Sequence, residues 1–117
     1  MVNEFCHVEI PTTNFEVSKK FYESVFNWKV SIVPEMNYAL FETGGLDGGF
    51  DKVEEVKPGG VVLYILADDI KETLKKIESA GGKVLERETL ISEEYGYFAL
   101  FQDPEGNVLG LWRESKK

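Results

Sequence analysis

Alternation of polar and apolar residues opens the chain. From Glu4 to Ile10 the residues Phe5, His7 and Glu9 fall on one side of an extended backbone, and Cys6, Val8 and Ile10 on the other. One face of this first strand is apolar and the other ionisable. Pro11 is expected to end it, and Thr13 or Asn14 to cap a helix, with Glu16 as the capping-box partner of Thr13. Val17, Phe21 and Val25 then recur at helical spacing with Phe15 and Tyr22 beside them, which leaves Lys19, Lys20 and Glu23 for water. Trp28 to Val33 and Asn37 to Glu42 read as a second and a third strand around a turn at Pro34-Glu35. The tract Thr43 to Phe50, TGGLDGGF, is expected as a short fourth strand thinned by glycine, where something approaches the backbone closely.

Asp51 to Gly60, DKVEEVKPGG, has no periodicity and ends in Pro and two Gly, as a linker does. Beyond it the pattern starts again. Val61 to Ala67 is a strand, Asp69 caps a helix with Glu72 at the box position, and Ile70, Leu74, Ile77 and Ala80 form its buried stripe. Gly81-Gly82 stops that helix. Lys83 to Leu90 is a strand, Ile91 to Gly96 a loop and Tyr97 to Gln102 a strand, and DPEGN at Asp103 to Asn107 is a tight turn by its residues. Val108 to Arg113 closes the series.

The chain therefore repeats itself. A shift of about 55 residues lays His7–Val30 over Val62–Leu85 without a gap, with Ile10/Ile65, Lys20/Lys75, Glu23/Glu78 and Ser24/Ser79 identical. Ala39-Leu40-Phe41 returns as Ala99-Leu100-Phe101, which places Gly44 on Gly106, Gly48 on Gly110 and Phe50 on Trp112. The reading is an α+β chain of two tandem βαβββ modules. They lie within a single domain, residues 1–117, with module one at about 4–50, a linker at 51–60 and module two at about 61–113.

Composition narrows the partners. The chain of 117 residues suffices to bury roughly two thirds of the surface it exposes when unfolded. A formal charge of -8 argues against nucleic acid or an anionic membrane, since both would meet like charge. The one cysteine, Cys6, has no internal partner and reads as a small buried hydrophobe. No apolar run approaches the roughly 18 residues of a membrane span, and the start MVNEFCHVEIP lacks the marks of a signal peptide, so a cytoplasmic protein is expected.

Candidate chemistry is sparse and localised. His7 is the only histidine, and Glu9 lies two residues on along the same face. A carboxylate in mid-strand needs a partner, and such positions are where general bases arise. Tyr38, Tyr64, Tyr97 and Trp112 are candidates for aromatic walls of a ligand pocket. The glycines at 44, 45, 48 and 49 are not a phosphate loop, because no strand-loop-helix context or Lys-Ser/Thr ending follows.

These residues carry a resemblance. The paired βαβββ modules, the opening HVEIP, the helix ending FYESVFNW, the stretch VLYILADDI, the helix end AGGKV and the closing DPEGNVLGLW resemble the vicinal oxygen chelate superfamily. Glyoxalase I, extradiol dioxygenases, fosfomycin-modifying enzymes and bleomycin-binding resistance proteins belong to it. The resemblance implies a cupped mixed β-sheet built from both modules, with a ligand in the cup and, in many members, a divalent ion on four side chains.

Carried over residue by residue, the first metal position is His7, which matches. Its repeat mate is Val62, the closing-strand position is Gly110, and the mate of that glycine is Gly48. Three of the four lack a donor atom, and one imidazole holds a divalent ion poorly against water. The expectation is thus a metal-free protein of the glyoxalase or bleomycin-resistance kind that binds a small organic molecule as a homodimer. His7, Tyr38, Val62, Tyr97, Gly110 and Trp112 would line the site. If it catalyses, the reaction is of the lyase or isomerase type, with Glu9 as base and Tyr64 or Tyr97 polarising a carbonyl. Two alternatives stand beside it. One is a lyase, isomerase or dioxygenase using Zn, Ni, Mn or Fe on His7 with Glu9, Glu42 or Glu86; the other is a protein that sequesters a drug or toxin.

Overall fold

The computed structural model describes residues 3–115, and the chain divides into two compact units, Met1–Val56 and Lys57–Lys117. The first unit runs β1 (Val8–Thr12), α1 (Phe15–Phe26), β2 (Lys29–Val33), β3 (Tyr38–Glu42) and β4 (Gly48–Lys52). The second runs β5 (Tyr64–Leu66), α2 (Ile70–Ser79), β6 (Lys83–Ser92), β7 (Gly96–Gln102) and β8 (Val108–Arg113). Each forms a four-stranded mixed sheet, ordered β1-β4-β3-β2 and β5-β8-β7-β6. In both, the first strand lies parallel to the last and the other pairs are antiparallel. The repeat read from the sequence is a repeat of topology.

One face of each sheet is sealed by its helix. In the first unit Ile10, Val30, Ala39, Phe41 and Phe50 meet Phe21, Tyr22 and Val25 of α1, all buried. The contacts are largely ring on ring: Trp28 stacks on Tyr22 at 4.6 Å and on Phe41 at 4.7 Å between centroids. In the second, Ala67, Ala99, Phe101, Leu109 and Leu111 are buried with Ile70, Leu74 and Ile77 of α2. The opposite faces hold the candidate chemistry.

Several boundaries differ from the expectation. β1 begins at Val8 and passes through Pro11, because Val8 N–H and Thr12 C=O are the groups that bond beyond it, to Asp47 and Val53. Pro11 occupies an odd position, turned away from β4, where its missing N–H breaks no bond. Cys6 lies before the strand and is exposed, not buried. Asn14 rather than Thr13 caps α1, accepting from the N–H groups of Glu16 and Val17. Asp69 caps α2 as expected, through Glu72 N–H.

Lys19 and Glu23 do not simply face water. Glu23 Oε2 accepts from Val30 N–H at 3.0 Å and from Lys19 Nζ at 3.1 Å, and Lys19 donates to Val30 C=O at 2.8 Å. Together they clamp α1 to β2. The Val30 N–H, and then Lys19, hold the Glu23 carboxyl below its ordinary value.

The glycine tract is only half strand. Residues 43–47 form a turn closed by Thr43 and Asp47, and β4 begins at Gly48 and takes in Asp51 and Lys52, assigned above to the linker. The expected loop after Leu90 is half strand too, with β6 running to Ser92 and β7 starting at Gly96 around a turn at 93–95.

The glycine register needs a correction of one residue. Ala39 faces Phe50 across its sheet, whereas its mate Ala99 faces Leu111. Leu40 likewise faces Gly49, and Leu100 faces Gly110. The mate of Gly110 is therefore Gly49, not Gly48, and that of Phe50 is Leu111, not Trp112. The connection from central to closing strand is one residue longer in the second unit, and glycines carry no side chain by which parity along a strand could be read.

Candidate ligand-binding site

In the first unit the open face gathers three of the expected residues. The Tyr38 hydroxyl donates to Glu9 Oε2 at 3.1 Å and lies 2.8 Å from His7 Nε2. With its one proton committed to Glu9, the phenol oxygen accepts from His7 Nε2–H. The His7 and Tyr38 ring planes are nearly parallel, with 18° between them. The pairing of β3, β4 and β1 brings this about: Glu9 stands beside Gly49 in the ladder, and Gly49 beside Leu40.

Gly49 makes room for it. A Cβ there would sit 2.5 Å from Tyr38 Cζ and the phenol oxygen, so the ring rests on bare backbone. Burial, and then the hydrogen bond and charge of Glu9, push the Tyr38 hydroxyl up to about 12, with Asp51 adding to the effect. The phenol keeps its proton.

The second unit has an open face of different character. Tyr64, Ile91, Phe98 and Trp112 line a cleft of about 470 Å³. The parity of β8 explains the set: Phe98 pairs with Trp112 and Tyr64 with Gly110, so these positions share the face away from α2. The Tyr64 ring lies over Gly110, where a Cβ would come 3.0 Å from Cγ and closer still to Cδ2 and Cε2. Trp112 Nε1–H is spent on the carbonyl of Tyr95 at 2.7 Å.

The expected site residues thus separate into groups. His7, Glu9 and Tyr38 converge in the first unit, while Tyr64, Gly110 and Trp112 converge in the second. Val62 lies two residues before Tyr64, outside β5 and partly buried. Tyr97 is on the other face of its sheet, opposite Arg113 in the ladder, and the Arg113 guanidinium stands 4.0 Å from its ring centre. The same arginine donates to Glu88 at 2.7 Å. Tyr97 belongs to that pairing rather than to the cleft. Phe98 was legible from strand alternation with Leu100, but Ile91 fell in a stretch read as loop.

Among the described residues no group of three or more His, Cys, Asp and Glu side chains gathers where it could hold a metal. Gly49 and Gly110, the paired positions without donors, are both covered by tyrosine rings.

Comparison with known proteins agrees with the architecture. Residues 5–111 match the model of the Glyoxalase/Bleomycin resistance protein/Dioxygenase superfamily. The chain is 33% identical over 110 residues to a glyoxylase-like domain-containing protein of Didymella fabae, covering 86% of each. It is 26% identical to a protein of Mycobacterium tuberculosis provisionally named a glyoxylase, CFP32, of which it spans 45%. Among solved structures, the fosfomycin resistance protein FosX of Listeria monocytogenes superposes with a TM-score of 0.81 at 13% identity, covering 99% of this chain and 97% of that one. An enzyme of the same family from Burkholderia phytofirmans gives 0.75 at 18%, covering 92% and 95%. The Listeria protein has also been solved with Mn(II) and sulfate, so divalent metals are in use among the structural neighbours.

Two mixed α+β halves of identical strand order define the fold class. The chain belongs to the glyoxalase/bleomycin resistance/dioxygenase superfamily.

Proposed function

We propose that this protein binds a small organic molecule with an aromatic portion, and that it does so without a catalytic metal. The observation that carries this reading is the cleft of Tyr64, Ile91, Phe98 and Trp112, about 470 Å³ in volume. That size suits a drug-sized ligand, and the walls are three rings and one aliphatic chain. The ring of Tyr64 over Gly110 supports the metal-free part, because it covers a position that would have to supply a donor.

The first unit offers a candidate site of its own in the His7–Tyr38–Glu9 cluster. Glu9, mid-strand and solvent-facing, is the base we assign for a proton next to a carbonyl, in a reaction of the lyase or isomerase kind. Tyr38, which touches Glu9, takes the supporting role first expected of Tyr64. The protein works as a homodimer in the cytoplasm on this reading. The exposed Val61, Leu66 and Tyr95 favour a partner surface, and the single exposed thiol suits a reducing compartment.

Elemental analysis of protein purified without chelator tests the metal-free reading. We expect no stoichiometric Zn, Ni, Mn or Fe, and near-stoichiometric metal that His7→Ala removes would overturn it. A calorimetric screen of aromatic compounds tests the cleft, with Trp112→Ala expected to abolish binding. Glu9→Gln then separates catalyst from sequestering protein: turnover lost with binding kept identifies the base.

A further inference from the structure

The protons of the His7–Tyr38–Glu9 cluster can be counted. Tyr38 spends its only proton on Glu9 Oε2, and His7 spends Nε2–H on the phenol oxygen. Tyr38 is locked in that role, since its ring rests on Gly49 and its hydroxyl resists ionisation. What the cluster still offers a ligand is Glu9 Oε1 and, in the neutral imidazole that donates from Nε2, the Nδ1 lone pair of His7, both of them acceptors.

Two lysines of this sheet stand opposite other groups. Lys52, beside Asp51 on β4, stands over the Phe15 ring on the helix side, 5.5 Å from its centre. Lys29 of β2 lies directly across from Glu42. Asp51 adds negative charge at Tyr38.

We propose that the His7–Tyr38–Glu9 cluster recognises a hydrogen-bond donor on the ligand, an ammonium or hydroxyl group, and rejects an anion. The proposal rests on reading this cluster as a ligand site, and it names the polar end of the molecule that site takes. An ammonium gains a charge-assisted bond to Glu9, while a phosphonate finds no donor and faces a carboxylate. The expected preference is about tenfold or more.

Benzylamine, benzyl alcohol and phenylphosphonate share a ring and differ in the polar end. Titrated near neutral pH into the isotopically labelled full chain, they are read by the amide shifts of His7, Glu9, Tyr38 and Gly49. Benzylamine should bind most tightly and phenylphosphonate most weakly, with benzyl alcohol between. Glu9→Gln should remove the preference for the amine, which general attraction to the acidic surface would not do. Tyr38→Phe keeps the ring on Gly49 and frees His7 Nε2–H, so it should narrow the gap by improving the phosphonate. Binding of phenylphosphonate as tight as that of benzylamine, an amine preference that survives Glu9→Gln, a gap left unchanged by Tyr38→Phe, or no shift at these four residues from any of the three would each overturn the proposal. Shifts of Tyr64 and Trp112 report the aromatic cleft separately, so failure there counts against the function proposed above and not against this recognition.

Discussion

Adding one methyl group at Gly110 and at Gly48 should have very different consequences. At Gly110 the new Cβ would fall 3.0 Å from Tyr64 Cγ and closer to two other ring carbons. Ordinary carbon contacts are about 3.5–4.0 Å, so the ring must retreat by roughly 1 Å or more. It can do so, because Tyr64 is 52% exposed. Overpacking of this kind costs about 1–3 kcal/mol, offset by about 0.4–1 kcal/mol from the stiffer unfolded chain, for a net loss of about 1–2 kcal/mol. At Gly48 the clash is with the carbonyl of Val8, backbone of the strand paired to it, and with Phe41 Cζ at 2.8 Å. The Val8 carbonyl cannot yield without separating β1 from β4, so Gly48→Ala should cost more than about 4 kcal/mol or prevent folding. Urea unfolding followed by circular dichroism measures both, and the Tyr64 ring resonances report the displacement. Equal destabilisation by the two variants, or a Tyr64 ring unmoved in Gly110→Ala, would show that the close approaches do not govern these positions.

Three further outcomes are expected. Glu23 is held below its ordinary value of 4.5, so its contribution is fully present above that pH and is lost as pH falls through the lower folded-state value; the stability gap between the native chain and Glu23→Gln should therefore close in acid. The Tyr38 hydroxyl, raised to about 12, contributes stability below its ordinary value of 10 that is lost as pH rises from there toward 12; Glu9→Gln should bring its ultraviolet titration back toward 10. Asp103 is buried and accepts from the N–H groups of Glu105 and Asn107 and from Asn107 Nδ2; Asp103→Ala should cost about 3 kcal/mol in thermal unfolding by leaving these donors unpaired.

How much of this was legible in the sequence depended on how local the information was. The α2 cap at Asp69 and the turn Asp103 to Asn107 are set by residues within four positions of one another, and both stand as read. Parity along β1 was equally plain, because Val8 and Ile10 mark its apolar face. The start of β4 was not, since glycines mark no face, and the same blindness displaced the repeat by one residue. The His7–Tyr38–Glu9 cluster joins groups 31 and 29 positions apart. Only the pairing of β1 with β4 and of β4 with β3 brings them together; in the second unit the register of β7 with β8 turns Tyr97 toward Arg113 and Phe98 toward Trp112.

The correction of the repeat has a consequence for how the two halves came to differ. Once Gly49 is matched to Gly110, Glu9 is matched to Tyr64, since each stands beside its glycine in the ladder. The first unit thus carries a charge at this point with a tyrosine of β3 laid against it, and the second carries the tyrosine there directly. Each glycine is an empty place filled by a ring from a neighbouring strand, Tyr38 in one unit and Tyr64 in the other.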